Sequence, residues 1–343
     1  MFTERDFDHT PDLTDAVSIN LSSGEDVLIS EEGVYLLSGT AQEVSVTVSV
    51  PDKEAKVQLV LDGVSVVNSD APVIDVRSAD KVFVTTTDSD NRLEVTGAFA
   101  PDGSVSLDAV IFSNEDVVLN GLGGLEILSP TGNGVTSKDD LKVTGGTISI
   151  SSGLDGLEAN DSLRIGGGAL AIDSGKDGLH SEYDEDDTVG FVYVLDGSVQ
   201  IAAADDGIRA TTYVQIEGGS IDIGTVVEGI EATFIQFNGG EVSVVASDDG
   251  INAARKSASE DLLIEINGGH IFVEVGQGDT DAFDSNGDIT INDGTIEVVT
   301  PGSSFDADGT ISFNGGTVII NGEAVTEIPQ GGPGPGGGGG GGG

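Results

Sequence analysis

The sequence predicts an all-β chain wound as a single-stranded parallel β-helix, a solenoid of about 13 coils of ~22 residues. Three observations carry that prediction. A glycine pair or Asp-Gly recurs at Gly145-Gly146, Gly167-Gly168, Asp196-Gly197, Gly218-Gly219, Gly239-Gly240, Gly268-Gly269, Asp293-Gly294 and Gly315-Gly316, its second glycines 22, 29, 22, 21, 29, 25 and 22 residues apart. Apolar residues alternate with polar ones on both sides of each pair, the pattern of a half-buried strand. A third apolar position follows eleven residues after the second glycine.

The strand before the pair is read from Leu141 and Val143, Leu163 and Ile165, Val192 and Val194, and so on to Ile311 and Phe313. The strand after it is read from Ile148 and Ile150 through Leu170 and Ile172 to Val318 and Ile320. The third strand is marked by Leu157, Leu179, Ile208, Ile230, Ile251 and Phe305, with Phe283 fourteen residues on in the 25-residue repeat. Strands stacked at about 4.8 Å would give a rod roughly 60 to 70 Å long. Glycine at the bend suits positive φ and close approach of neighbouring chain. Asn238, Asn267, Asn292 and Asn314 precede four consecutive pairs and predict a ladder of stacked amides.

Residues 1–20 are expected to form an N-terminal arm or cap, and 21–328 the β-helix. In its N-terminal half the repeat is looser, with strands expected around Val57–Val66, Val73–Val76, Val82–Thr85, Leu93–Val95, Val110–Phe112 and Val117–Leu119. Residues 329–343 are a Gly/Pro-rich tail. Residues 1 to 15 carry acids and no apolar run, so no secretory signal is read there, and nothing is apolar enough to span a membrane. The absence of cysteine excludes disulfides and thiolate metal sites.

Sixty acids against thirteen bases give a formal charge of -47. That excludes electrostatic binding of nucleic acid or an anionic membrane and makes cations natural partners. The acids also have positions. Two residues before the third apolar position stand Asp155, Asp177, Asp206, Glu228, Asp249 and Asp281, with Asn133 below and Ser303 above. Asp205, Asp248 and Asp279 adjoin them, and Glu158, Glu231, Asp284 and Asp306 follow the apolar residue, interleaved with His180, Arg209 and Asn252.

Stacked coils place these acids in a column, where like charges about 5 Å apart repel by roughly 1 kcal/mol in water and by more where shielded from it. Some must be protonated, splay into solvent or share cations. Calcium (Ca2+) suits the last option, because it accepts six to eight oxygen ligands in flexible geometry. The competing reading is that Asp-Gly is a favourable turn dipeptide. A second acidic cluster, 181–188, reads either as a cation site or as a solvated loop.

Several segments, VQLVLDGVSV, APVIDVRSADKVFVTT, DAVIFSNEDVVLNGLGGLEI and NGVTSKDDLKVTGGTISI, resemble the bacterial carbohydrate-binding domain-containing family of secreted right-handed parallel β-helix proteins. Ser137-Lys138-Asp139-Asp140 is the most specific piece, and the resemblance covers about residues 15 to 325. It implies an extracellular or cell-surface, calcium-containing, lyase-like β-helix that binds cellulose or polygalacturonate-like polysaccharide without cleaving it. The absence of Trp departs from the usual sugar-stacking platform. A lyase would need a basic residue beside the acids, for which Arg209, Arg164 and Lys176 are the candidates; ion pairing is the alternative. A third reading is a self-assembling fibre or matrix subunit cross-linked by calcium, with copies of the chain itself as partners.

Overall fold

The computed structural model describes residues 1–103, 106–183, 185–278 and 280–329. Among them the chain is all-β, apart from one 3-10 turn at Glu4–Phe7, and its strands form a 24-stranded and a 12-stranded sheet. Pairing is parallel except at the last strand, Glu323–Val325, which folds back antiparallel on Thr317–Ile320.

Through the regular part each strand pairs with the strand one repeat further on. Asp140–Val143 pairs with Ser162–Ile165, Thr147–Ser152 with Ala169–Ser174, and Leu157–Ala159 with Leu179–Ser181. Three ladders result: one before the glycine pair, one after it, and one carrying the acids. The acid ladder is the 12-stranded sheet, running from Val27–Ile29 to Ser303–Ala307. The strands expected in the N-terminal half are present; Val57–Val66 is part of a long bent strand, Lys56–Asn68, that serves two ladders of the larger sheet.

Period-two alternation sends every second side chain into one elongated core. Val82, Val117, Leu141, Leu163, Val192 and Val214 follow one another in register, each fully buried. Near the C-terminal end Phe283 and Phe305 continue the acid ladder's inner column, their rings stacked 4.9 Å apart. Each buried aliphatic side chain contributes about 2 kcal/mol.

The two kinds of glycine have different reasons. The second glycine of a pair takes positive φ, as at Gly168 (φ +92), where a Cβ would also lie 3.0 Å from the backbone of the preceding pair. The glycine of Asp-Gly on the acid ladder is a matter of space: a Cβ on Gly156 would stand 2.5 Å from Ile172 Cγ2 and 2.6 Å from Gly178 O. Turn chemistry therefore does not account for Asp-Gly there, because Gly156, Gly178 and Gly207 lack positive φ.

The N-terminal arm lies along the side of the molecule. Asp6, fully buried, takes the Asn120 amide and the Thr144 hydroxyl on its carbonyl, and its carboxylate is 3.8 Å from Lys81 Nζ. Arg5 sits over the Phe83 ring, and Arg164 Nη1 donates to Met1 O at 3.0 Å. Val17–Asn20, within the segment assigned to the arm, already pairs with Gly33–Gln42. The glycine-rich tail from 330 onward lies outside the described residues.

Candidate functional site

The acid column begins with a relay of hydrogen bonds between side chains and backbone. Asp155 N donates to Asn133 Oδ1 at 2.9 Å, Asp177 N to Asp155 Oδ1 at 3.0 Å, and Asp206 N to Asp177 Oδ1 at 3.1 Å. Asp281 N repeats the contact with Asp249 Oδ1 at 2.8 Å. One oxygen of each relay side chain thus joins successive repeats, each such bond contributing about 1 kcal/mol. In Asp155 and Asp177 the second carboxylate oxygen faces protein cations. Asp155, Asp177 and Asp206 are at most 3% exposed.

Protein cations neutralise the first half of the column. Lys176 Nζ lies 3.2 Å from Asp155 Oδ2 and 3.3 Å from Asp177 Oδ2, while His180 Nδ1 lies 3.1 and 3.5 Å from the same atoms. Asp177 Oδ2 meets them as ion pairs without well-directed hydrogen bonds. His180 Nε2 is 3.1 Å from Glu182 Oε2. Burial alone would lower the His180 pKa, but hydrogen bonds to Asp155 and Glu182 and the charges of Asp155 and Asp177 outweigh it and push the ring up to about 9. The same hydrogen bond brings Glu182 down to about 2. Lys138 reaches Glu158 at 3.4 Å; Arg209 reaches Asp206 and Glu231, both at 3.3 Å, and Lys256 reaches Glu231 at 2.7 Å.

Further along, acids meet acids. Burial, reinforced by Asp177 and Glu228, pushes Asp206 up to about 7, and burial with Glu231 does the same to Glu228 despite the Asn252 amide at 3.1 Å. Asp281, Asp284 and Asp306 each offer a carboxylate oxygen within 4.8 Å of the others, and all three are half-buried. Burial, then the charges of Asp249, Asp281, Asp306 and Asp308, push Asp284 up to about 6. Asp248 is exposed, Asp205 converges with Asp177 and Asp206, and Asp279 lies outside the described residues.

This donor chemistry tests the fit to calcium. Around Asp155 and Asp177 an ammonium and an imidazolium already sit on the free oxygens, which suits no further cation. Asp281, Asp284 and Asp306 supply the hard oxygens calcium prefers, on an edge open to water. They are the residues that would hold it. The sequence-based candidates therefore separate into a self-neutralised half and an acid-rich half.

Arg164, weighed with Arg209 and Lys176 as a catalytic base, is on the ladder before the glycine pair, 3.0 Å from Asp140. Lys176 and Arg209 are in the column, and both are raised above their ordinary pKa because acidic neighbours outweigh the effect of burial. In the acidic insertion, Glu182 joins the His180 network, whereas Tyr183 and Glu185 pair with each other at its surface. The relay was missed in the sequence; its signal was an oxygen-bearing side chain, Asn133, at the foot of the aspartate column.

A family model described as "Carbohydrate-binding domain-containing protein" matches residues 23–282 and 231–324. A carbohydrate-binding domain-containing protein of Acetivibrio thermocellus is 40% identical over 209 residues, which span 60% of this chain and 71% of that protein. Among solved structures, a gadolinium derivative of the polysaccharide lyase-like protein from C. thermocellum is similar with a TM-score of 0.53 and 28% identity, covering 65% of this chain and 92% of that one.

Proposed function

Because the chain belongs to the carbohydrate-binding domain-containing protein family, we propose that it binds polysaccharide outside the cell, without cleaving it, and holds calcium on its acid ladder. In this reading the ladders close into one right-handed parallel β-helix. The observation that carries the proposal is the convergence of Asp281, Asp284 and Asp306, where burial and acidic neighbours strain the charged form of Asp284. A divalent cation relieves that strain. Bound on an open edge with three protein carboxylates, calcium keeps coordination places for water or for the carboxylate of a hexuronate chain.

The state of Lys176 and Arg209, the two basic candidates in the acid column, supports binding over cleavage there. Removing a C5 proton needs a base that is unprotonated at working pH. Lys176 and Arg209 are instead held protonated by Asp155, Asp177, Asp206 and Glu231. They can donate hydrogen bonds and cannot accept that proton.

A glycan array run with and without chelator, with absorbance of unsaturated product followed in parallel, tests the proposal. Calcium-dependent retention of acidic polysaccharide without product is the expected result. Retention unchanged by chelation would remove calcium from the account, and accumulating product would replace binding with lyase activity.

A further inference from the structure

Residues 1–9 rest in a seat on the ladder before the glycine pair, and the seat is shaped to them. Two glycines floor it. A Cβ on Gly166 would meet the Phe2 and Phe7 rings at 3.0 Å, and one on Gly145 would stand 2.6 Å from His9 Nε2. Neither glycine takes positive φ, so what calls for them there is space. Beside the floor a buried chain of side chains points its last donor at the segment: Gln58 Nε2 donates to Thr85 Oγ1 at 3.1 Å, Thr85 to Asn120 Oδ1 at 2.6 Å, and Asn120 Nδ2 to Asp6 O at 3.1 Å. The Thr144 hydroxyl donates to the same carbonyl, and Phe2 packs on Tyr193 with ring centroids 6.2 Å apart.

The tether from this segment back to the first strand has almost no slack. Val17, where that strand begins, stands in register with Tyr35, Leu59, Val84, Leu119 and Val143 in successive strands. His9 Nε2 lies 3.1 Å from Thr144 O, beside the last of these. The five strand-to-strand steps at about 4.8 Å make a span of about 24 Å. The eight links from His9 to Val17 reach at most about 26 to 29 Å when fully extended. A turn in which Ala16 N donates to Leu13 O takes up part of that reach. The tether also contains Pro11, and Asp12, Leu13, Thr14 and Asp15 are exposed.

We propose that the seat is a docking surface for a second copy of this chain, with which it exchanges residues 1–9. A tether long enough to roam holds its ligand at a high effective concentration, but one that spans the path only at full stretch loses most of that advantage. Short hinges under tension favour exchange for this reason. The partner is another copy because the seat fits residues 1–9 in particular, and every copy carries them. The same rings, carbonyl and glycines then meet between chains as within one, so exchange requires no new surface. Charge opposes the approach of two chains at -47 each, and salt screens that repulsion.

Sedimentation of two complementary full-chain variants tests the exchange. Gly166→Leu closes the seat and keeps the segment, while Phe2→Ser with Phe7→Ser spoils the segment and keeps the seat. Each alone should sediment as a single copy; mixed, they should form one-to-one pairs of doubled mass, held more tightly in high salt than in low. A second design removes Asp12, Leu13 and Thr14, which leaves segment and seat whole but cuts the reach to at most about 16 to 18 Å, short of the span. That chain should also double its mass, and should return to single copies when Phe2→Ser and Phe7→Ser are added. Circular dichroism melts report whether each variant keeps its fold; if Gly166→Leu does not, the shortened chain decides. Single copies in the mixture of folded variants or in the shortened chain overturn the proposal, as do pairs that survive spoiling the segment.

Discussion

At Asp177 two demands fall on one carboxylate. Its Oδ1 accepts the Asp206 N–H, and its Oδ2 faces Lys176 and His180 in a fully buried position. Replacement by alanine removes an acceptor from a buried donor and a counter-charge from two cations, a loss of about 3 kcal/mol or more. Asp177→Asn keeps the acceptor, as Asn133 does at the foot of the column, and should lose less; urea midpoints of the two variants check the order. His180 adds a pH dependence. Its folded pKa, about 9, lies above the ordinary 6.5, so its stabilisation is complete below pH 6.5 and disappears as pH rises through 9. His180→Gln should be less stable at pH 6 and lack that component of the alkaline loss, measured by urea unfolding between pH 6 and 10.

Along the ladders, single contacts become repeating chains. The amide of Asn314 donates to Asn292, Asn292 to Asn267, Asn267 to Asn238, and Asn238 to the Glu217 carboxylate, at 2.7 to 2.9 Å. Asn267→Ala breaks two of these bonds and should cost about 2 kcal/mol, whereas Asn314→Ala at the end breaks one and should cost about 1; thermal denaturation distinguishes them. The glycine spacing made this ladder readable, because equal offsets from Gly240, Gly269, Gly294 and Gly316 place the four asparagines together. The buried strands were legible for the same reason. The cations of the acid column were legible only in part. Lys176 and Arg209 stand beside column acids in the sequence, and their ion pairing was among the readings there, whereas Lys138 and Lys256 lie at other offsets and reach their acids through long side chains across repeats, as Lys256 does to Glu231. Nor did the Asp-Gly dipeptide disclose its cause, since the obstruction at Gly156 comes from Ile172 and Gly178 of the next repeat.

For the whole molecule, a charge of -47 makes the distribution of acids a problem of stability as well as binding. Asp206, Glu228 and Asp284, with folded pKa values of about 7, 7 and 6, retain protons more strongly than an unfolded chain. Their effect is therefore to reduce stability as pH rises from about 4 through 7. A cation bound to the charged form offsets that loss. Calcium should accordingly raise the thermal midpoint more at pH 7.5 than at pH 5, where protons compete for the same oxygens. Charge also sets the condition for an acidic ligand: polygalacturonate and this chain repel each other unless a cation joins them. Titration of the wild-type chain with polygalacturonate in calcium and then in chelator, with product absorbance recorded in the same samples, tests that claim most directly. The account predicts binding in calcium, none in chelator and no unsaturated product in either; binding that survives chelation, or product that accumulates with time, contradicts it.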